Sequence, residues 1–195
     1  TSNATFTADE NQTAIGTVTA TDVDGDSLTY SISGTDVSSI NINSSSGVLT
    51  FASAPDYETK SSYTATITAS DGTNSATQNI TVNINNLNDN APSITSNATL
   101  TANENQTAIG TVTATDPEGD TITFSISGSE ININSSTGVL TFASTPDYET
   151  KSSYTATVTA SDGTNSTTQN ITVNITNLND NAPSITSNAT LTANE

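Results

Sequence analysis

The chemistry open to this chain is almost entirely that of carboxylates. Its 195 residues carry 20 Asp and Glu against two cations, Lys60 and Lys151, with no His and no Cys, for a formal net charge of −18. Fifteen of the acids fall in recurring short motifs: Glu10, Glu104 and Glu195; Asp22 with Asp24, and Asp116 with Glu118; Asp56 with Glu58, and Asp147 with Glu149; Asp71 and Asp162; Asp89 and Asp180. Each motif lies at an expected strand end or in a connection. On an extended segment, residues two apart point to one face, so Asp56 and Glu58 can direct both carboxylates at one point. Oxygen donors in this number, without imidazole or thiolate, select Ca²⁺; Mg²⁺ fits less well because it demands near-octahedral order and keeps its waters. A lone surface acid usually just faces water. Fifteen at matching places in two copies instead predict a cation site.

The copies are visible directly. The string NDNAPSITSNATLTANE occupies Asn88 to Glu104 and again Asn179 to Glu195. Matched acids lie 94 residues apart early in the copy (Asp22 and Asp116) and 91 apart later (Asp56 and Asp147). The difference falls between Gly34 and Ile42, where the first copy has TDVSSIN and the second SEIN. Three residues lost between matched strands predict a shortened surface loop. A period this long exceeds that of solenoid repeats and fits a string of small domains. The expected organisation is a first module over 1–90 with its N-terminal edge truncated, a second over 91–181 and the start of a third over 182–195. The chain reads as a segment of a longer array.

What must position the acids is a set of short strands. Tyr63, Ala65, Ile67 and Ala69 alternate with Thr64, Thr66 and Thr68, and Ile80, Val82 and Ile84 alternate with Thr81 and Asn83, the period of half-buried strands. Asp71-Gly72-Thr73-Asn74 between them is a hairpin turn signal. Further runs over 5–8, 14–20, 28–32, 40–43 and 48–51 bring the count to about seven strands per module, which predicts an all-β fold of tandem seven-stranded, immunoglobulin-like sandwiches. The expected core of the first is Phe6, Ile15, Val18, Tyr30, Ile32, Ile42, Leu49, Phe51, Tyr63, Ile67, Ile80, Val82 and Ile84. Such a domain buries only about 60–65% of the surface its unfolded chain exposes and has no disulfide to add.

Several functions are excluded by the charge. Nucleic-acid binding needs Lys and Arg to release counterions, and anionic membrane surfaces repel the same charge. No apolar run approaches the roughly 18 residues of a membrane span. An enzyme is not expected, because there is no His or Cys and the carboxylates have a tandem explanation. Carbohydrate or polysaccharide binding is the alternative; Tyr57 and Tyr148 are its candidate aromatics.

Five strings, each present in both copies and in the same order, carry a resemblance: DEN at Asp9 to Asn11 and NEN at Asn103 to Asn105, IGTVTATD from Ile15 and Ile109, DYE from Asp56 and Asp147, ASDG from Ala69 and Ala160, and NDNAP from Asn88 and Asn179. The chain resembles tandem cadherin repeats, of the bacterial cadherin-like kind found in large surface proteins. That resemblance implies a Greek-key sandwich with Ca²⁺ held in the linker between repeats. At the complete junction it implies ligands from Glu10, Asp56 and Glu58, from the side chains of Asn88 and Asp89 and of Asn86, from the backbone carbonyls of Leu87 and Asn90, and from Asp116, Glu118 and Asp162. Two half-sites would use Asp22, Asp24 and Asp71 at one end, and Glu104, Asp147, Glu149, Asn179 and Asp180 at the other. Asn86 and Asn177 stand where the family usually has Asp, and Glu118 stands where the first module has Asp24, which leaves two or three ions per junction open.

The implied mechanism is electrostatic. Two like charges about 6 Å apart repel by roughly 3 kcal/mol at an effective dielectric near 20. Carboxylates gathered at a linker would therefore push modules apart without a cation and become ligands with one. Salt cannot substitute, because the screening length of about 8 Å exceeds such spacings. The expectation is a non-catalytic, calcium-stiffened extender or adhesive filament segment on a cell surface. Its partners would be neighbouring repeats and other copies in a fibre.

Overall fold

The computed structural model describes residues 4–186, so the third repeat beyond Thr186, with Glu195, lies outside the described residues. The chain forms two compact units. One takes the residues up to Asn90 together with Pro117–Asp120, and the other takes Ala91–Asp116 and the chain from Thr121 onward.

In the first unit the strands are β1 (Thr5–Asp9), β2 (Ala14–Thr17), β3 (Thr29–Ser33), β4 (Ile40–Ile42), β5 (Val48–Phe51), β6 (Ser62–Ser70) and β7 (Ser75–Asn85). They form a four-stranded sheet in the order β1-β7-β6-β3 and a three-stranded sheet β2-β5-β4. The second unit has β8 (Ser93–Ile94), β9 (Thr99–Asn103), β10 (Ala108–Thr111), β11 (Ala114–Thr115), β12 (Thr123–Ile126), β13 (Ile131–Ile133), β14 (Val139–Phe142), β15 (Ser153–Ser161) and β16 (Ser166–Thr176). Its sheets are β12-β15-β16-β9 and β10-β14-β13, with a small additional pair β11-β8. The architecture is all-β, two sheets packed as a sandwich in each unit, as the alternation of apolar residues requires.

The hairpin falls where its turn residues lie. β6 and β7 pair in register from Ser62↔Asn83 to Ser70↔Ser75, and the Asp71 carboxylate closes the turn by accepting the Thr73 and Asn74 N–H groups, both at 2.6 Å. Ala65, Ile67, Ile80, Val82 and Ile84 face the core, while the intervening Thr and Asn face solvent or the neighbouring strand; the Thr66 hydroxyl donates to Asn79 Oδ1 at 2.9 Å. Gly47 turns the chain between β4 and β5 at φ 69°, and a Cβ there would stand 2.2 Å from the Val18 carbonyl oxygen. That approach lets Val18 N–H donate to the Gly47 carbonyl at 2.9 Å.

The core differs from expectation in detail. Ile40 is buried and Ile42 half-buried, although both sit opposite buried residues of β5, Phe51 and Leu49 respectively. Phe6, Tyr30, Ile32 and Tyr63 are also only partly buried, packed around the cluster, while Ala8 and Ala65 are inside it. The loop that differs in length between the copies is not simply surface. In the first unit it carries Asp36, 8% exposed, whose carboxylate accepts the Thr64 N–H at 2.8 Å and is ion-paired with Lys60. The shorter loop of the second unit places the exposed Glu130 2.6 Å from the Lys151 ammonium. Both lysines also lie over a tyrosine ring, Lys60 at 4.7 Å from the Tyr63 centroid and Lys151 at 4.4 Å from that of Tyr154.

Candidate metal centre

Topology gathers the acids. β1 runs parallel to β7, from Thr5↔Thr81 to Asp9↔Asn85, so both strands run out at the same end of the sandwich, and antiparallel β6 begins there. Glu10 follows β1, the Asp56–Glu58 segment precedes β6, and Asn86 to Asn90 follow β7. The same pairing of β9 with β16, ending at Asn103↔Thr176, repeats the arrangement in the second unit.

Glu10 is the hub of this end. It is 2% exposed, and its two carboxylate oxygens accept separate backbone N–H groups, Tyr57 at 2.8 Å and Leu87 at 2.7 Å. One buried charge thus ties the end of β1 to the DYE segment and to the start of the linker. Glu104 does the same in the second unit, also 2% exposed, accepting from Tyr148 at 2.8 Å and Leu178 at 2.6 Å. Charge-assisted bonds of this kind are about twice as strong as neutral ones.

Around each hub two further acids converge. Ligand oxygens of Glu10, Glu58 and Asp89 lie within 4.8 Å of one another, and so do those of Glu104, Asp147 and Glu149. Partial desolvation, and then the charges of Glu10, Glu118 and Asp56, hold the Glu58 carboxyl above its ordinary range. Asp147 is held below it, chiefly by the Thr150 hydroxyl, which donates to its Oδ2 at 2.8 Å. The sequence contains two cationic side chains, and the structure commits them elsewhere, Lys60 to Asp36 and Lys151 to Glu130. A set of mutually close carboxylates with no protein cation assigned to it is the donor chemistry that suits Ca²⁺.

The extended geometry expected for Asp56 and Glu58 is corrected. Residues 57–59 form a turn, and the Asp56 carboxylate braces it by accepting the Thr59 N–H at 3.0 Å and the Thr59 hydroxyl at 3.1 Å. The second unit has the same turn at 148–150, braced by Asp147 on Thr150; Asp147 nonetheless belongs to its triad, whereas Asp56 stands outside that of the first unit. Leu87 supplies an N–H to Glu10, and its carbonyl accepts from Asp89 N–H at 3.0 Å. Asn90 donates its side-chain amide to Asp89 at 2.7 Å and to Glu118 at 2.6 Å, both within the first unit. Asn86 is exposed and Asn88 half-buried; Asn179 and Asp180 are exposed. Tyr57 packs against the core, and Tyr148 is 36% exposed.

At the opposite end of the first sandwich, Asp22 Oδ1 accepts the N–H groups of Asp24 at 2.9 Å and Asp26 at 3.1 Å, and Asp71 closes its hairpin. The backbone donors of Asn74 and Thr73 hold the Asp71 carboxyl below its ordinary range. Asp22, Asp24 and Asp71 form no triad within 4.8 Å among the described residues. In the second unit Asp162 Oδ1 accepts from Thr164 and Asn165 at 2.7 and 2.6 Å. Asp116 and Asp162 each keep one carboxylate oxygen out of contact with solvent, as does Glu118.

One residue type in these motifs was not assigned a role from sequence. Asn11 and Asn105 adopt the left-handed conformation, at φ 61° and 63°, and donate their side-chain amides to Asp89 and Asp180 respectively. Asn is among the few non-glycine residues that enter this region readily. The signal available was the Asn that follows Glu at both positions.

The fold and site define a known class. The Cadherin domain model matches residues 4–85 and 96–176, and the chain belongs to the cadherin family. It is 36% identical over 200 residues to the protocadherin-like wing polarity protein stan of Drosophila melanogaster, a match covering 90% of this chain and 6% of that protein. It is 33% identical over 187 residues to the human cadherin EGF LAG seven-pass G-type receptor 2, covering 88% of this chain and 6% of the relative. The chain thus spans about 6% of the length of these relatives. Among solved structures, repeats EC1-2 of human protocadherin-24 superpose with a TM-score of 0.76 at 21% identity, covering 90% of this chain and 94% of that one, which shows the fold. The protocadherin gammaB7 EC3-6 cis-dimer structure gives 0.74 at 26% identity over 93% of this chain and 51% of that one. Cadherin domains generally bind calcium.

Proposed function

We propose that this chain is a non-catalytic, calcium-stiffened segment of an extracellular adhesion-type repeat array. The observation that carries the reading is the pair of triads, Glu10–Glu58–Asp89 and Glu104–Asp147–Glu149, built around a buried glutamate and left without a lysine. Like charges held this close cost stability until a cation neutralises them. Ca²⁺ is the cation whose variable oxygen coordination tolerates such a set.

At the junction, Glu10, Asp56, Glu58, Asn86, Asn88 and Asp89, the carbonyls of Leu87 and Asn90, and Asp116, Glu118 and Asp162 would hold the ions, and the linker would stiffen when they bind. The half-sites Asp22, Asp24 and Asp71, and Glu104, Asp147, Glu149, Asn179 and Asp180, would be completed by adjoining repeats. A rigid series of such joints extends whatever the array displays. No helix of the described residues is long and apolar enough to cross a membrane.

Small-angle scattering of the chain in millimolar Ca²⁺ and in chelator tests the mechanism. A shorter, broader distribution of end-to-end distances in chelator is expected. An unchanged distribution, with no calorimetric Ca²⁺ binding, would overturn it.

A further inference from the structure

The loop of unequal length leaves its mark on the strand beside it. β12 pairs with β15 only from Thr123↔Ser161 to Ile126↔Val158, and one further residue continues the ladder: Ser127 N–H donates to the Thr157 carbonyl at 2.9 Å, and the Ser127 hydroxyl accepts the Thr157 N–H at 2.8 Å. Residues of an antiparallel strand direct their N–H and C=O groups to alternate sides. Thr155, two residues before Thr157, therefore turns both groups to the same side, past the point where β12 has ended.

In the first unit the chain itself covers this position. The carbonyl of Thr64, the counterpart of Thr155, accepts the Asp36 N–H at 3.2 Å, and the Thr64 N–H donates to the Asp36 carboxylate at 2.8 Å. The second copy lacks the residues that do this. Its loop runs from Gly128 through Ser129 to Glu130, whose carbonyl accepts the Ala143 N–H as that of Ser39 accepts the Ala52 N–H, so Glu130 matches Ser39 and Asp36 has no counterpart. Among the described residues, no group takes the place of Asp36 at Thr155. The vacated edge faces a concavity of about 430 Å³, whose walls include Ser127, Thr155, Thr157, Asn170 and Thr172. The matching concavity of the first unit is about 290 Å³, with Gly34 and Thr35 in its wall.

We propose that the Thr155 edge of β15 is an acceptor site for an extended segment of a cationic partner protein. Such a segment supplies the donor and acceptor that Asp36 supplies to Thr64, and so adds a strand in line with β12, the β-augmentation mode of recognition. Charge selects the partner. The chain carries −18, and its two lysines are held by Asp36 and Glu130, so a basic segment is steered toward it while a second copy is repelled. Glu130, with a side chain 53% exposed, stands on the shortened loop as the acid a partner lysine can meet. Small side chains suit walls built of Ser, Thr and Asn. None of the groups involved is a proposed calcium ligand, so the inference stands apart from the metal reading.

The test is an NMR titration of the 195-residue chain in millimolar Ca²⁺ with the synthetic peptide KTVTVTK. Shifts are expected at the amides of Ser127, Thr155 and Thr157, and none at Thr64 and Thr66, where Asp36 occupies the edge. Two further peptides, N-methylated along one edge or along the other, separate backbone pairing from side-chain contact. One should lose affinity at least about tenfold and the other keep it. ETVTVTE should bind more weakly than KTVTVTK, and grafting TDVSS in place of Ser129-Glu130 should abolish the shifts. Hydrogen exchange of the free chain needs neither variant nor peptide: the Thr155 amide should exchange at least about tenfold faster than the Thr64 amide. Equal protection of those two amides would overturn the proposal, as would an absence of shifts at Thr155 or equal binding by the parent and both methylated peptides. Equal binding by ETVTVTE would overturn the cationic partner.

Discussion

The Asn11 side-chain amide donates to the Asp89 carboxylate, 78 residues away in sequence, from a backbone held at φ 61°. The contact fixes an acid of the triad from the turn that also carries Glu10. Asn105 and Asp180 repeat it. Conformation and side chain can be separated. Asn11→Gly keeps the left-handed backbone and removes the amide, whereas Asn11→Ala removes the amide and adds about 1–2 kcal/mol of backbone strain. Both variants should lower calcium affinity alike in calorimetry, and only the alanine should also lower the calcium-free melting temperature.

Glu10 and Glu58 belong to one triad, yet their amide variants should move stability in opposite directions. Glu10→Gln replaces an oxygen that receives a buried N–H with an amide donor, leaving Tyr57 or Leu87 N–H unsatisfied at a cost of about 1–3 kcal/mol. Glu58 has its folded-state carboxyl raised, so its ionised form is disfavoured by folding above the unfolded value near 4.5. In chelator at pH 7, Glu58→Gln should raise the melting temperature of the first unit while Glu10→Gln lowers it. With calcium present both should bind more weakly.

Asp36 supplies a control and a pH signature. Its carboxyl is held low, first by the Lys60 ammonium and then by the Thr64 N–H. A depressed carboxylate contributes stability above its unfolded value near 3.8 that is lost as pH falls through the folded value. Because Lys60 is 40% exposed, screening limits the contribution to about 1–2 kcal/mol. Asp36→Asn should flatten the acid limb of the stability curve below pH 4 and leave the neutral-pH calcium affinity unchanged.

Asp89→Ala should reduce calcium affinity well beyond any effect of Asp36→Ala. Removing one carboxylate of a converging set weakens the site about tenfold or more if each ligand charge contributes at least 1.4 kcal/mol. Parallel calorimetric titrations decide it, and equal affinities in the two variants would contradict the ligand assignment. Chain stability should show the reverse order, since Asp89 is exposed and Asp36 buried.

Much of the fold was legible because its signals are local. The alternation from Tyr63 to Ala69 and from Ile80 to Ile84, broken by Asp71-Gly72-Thr73-Asn74, specifies a hairpin without reference to the rest of the chain. Tertiary choices were not. Ile40 and Ile42 share a strand face opposite the buried Phe51 and Leu49, and which of the two is fully covered depends on packing beyond that strand pair, which spacing does not encode. Asp36 is one acid among polar residues until Lys60 and Thr64 close over it. Of the candidate site, the acids were readable from their spacing, but which of them converge was not: Glu58 joins the triad of the first unit without Asp56, whereas Asp147 and Glu149 both join that of the second. Asn11 stood in the DEN string without a role, because its contact with Asp89 is 78 residues away in sequence. The burial of Glu10 also follows from parallel pairing between β1 and β7, a long-range contact.

The lysine clasp has a consequence outside metal binding. Proteases that cut after basic residues find one target per repeat, and there the ammonium is held by Asp36 or Glu130 and laid over a tyrosine ring. Such an enzyme needs an extended, released lysine to fill its pocket, so a folded array of these domains resists digestion at the level of its composition. Amine-directed crosslinkers meet the same scarcity.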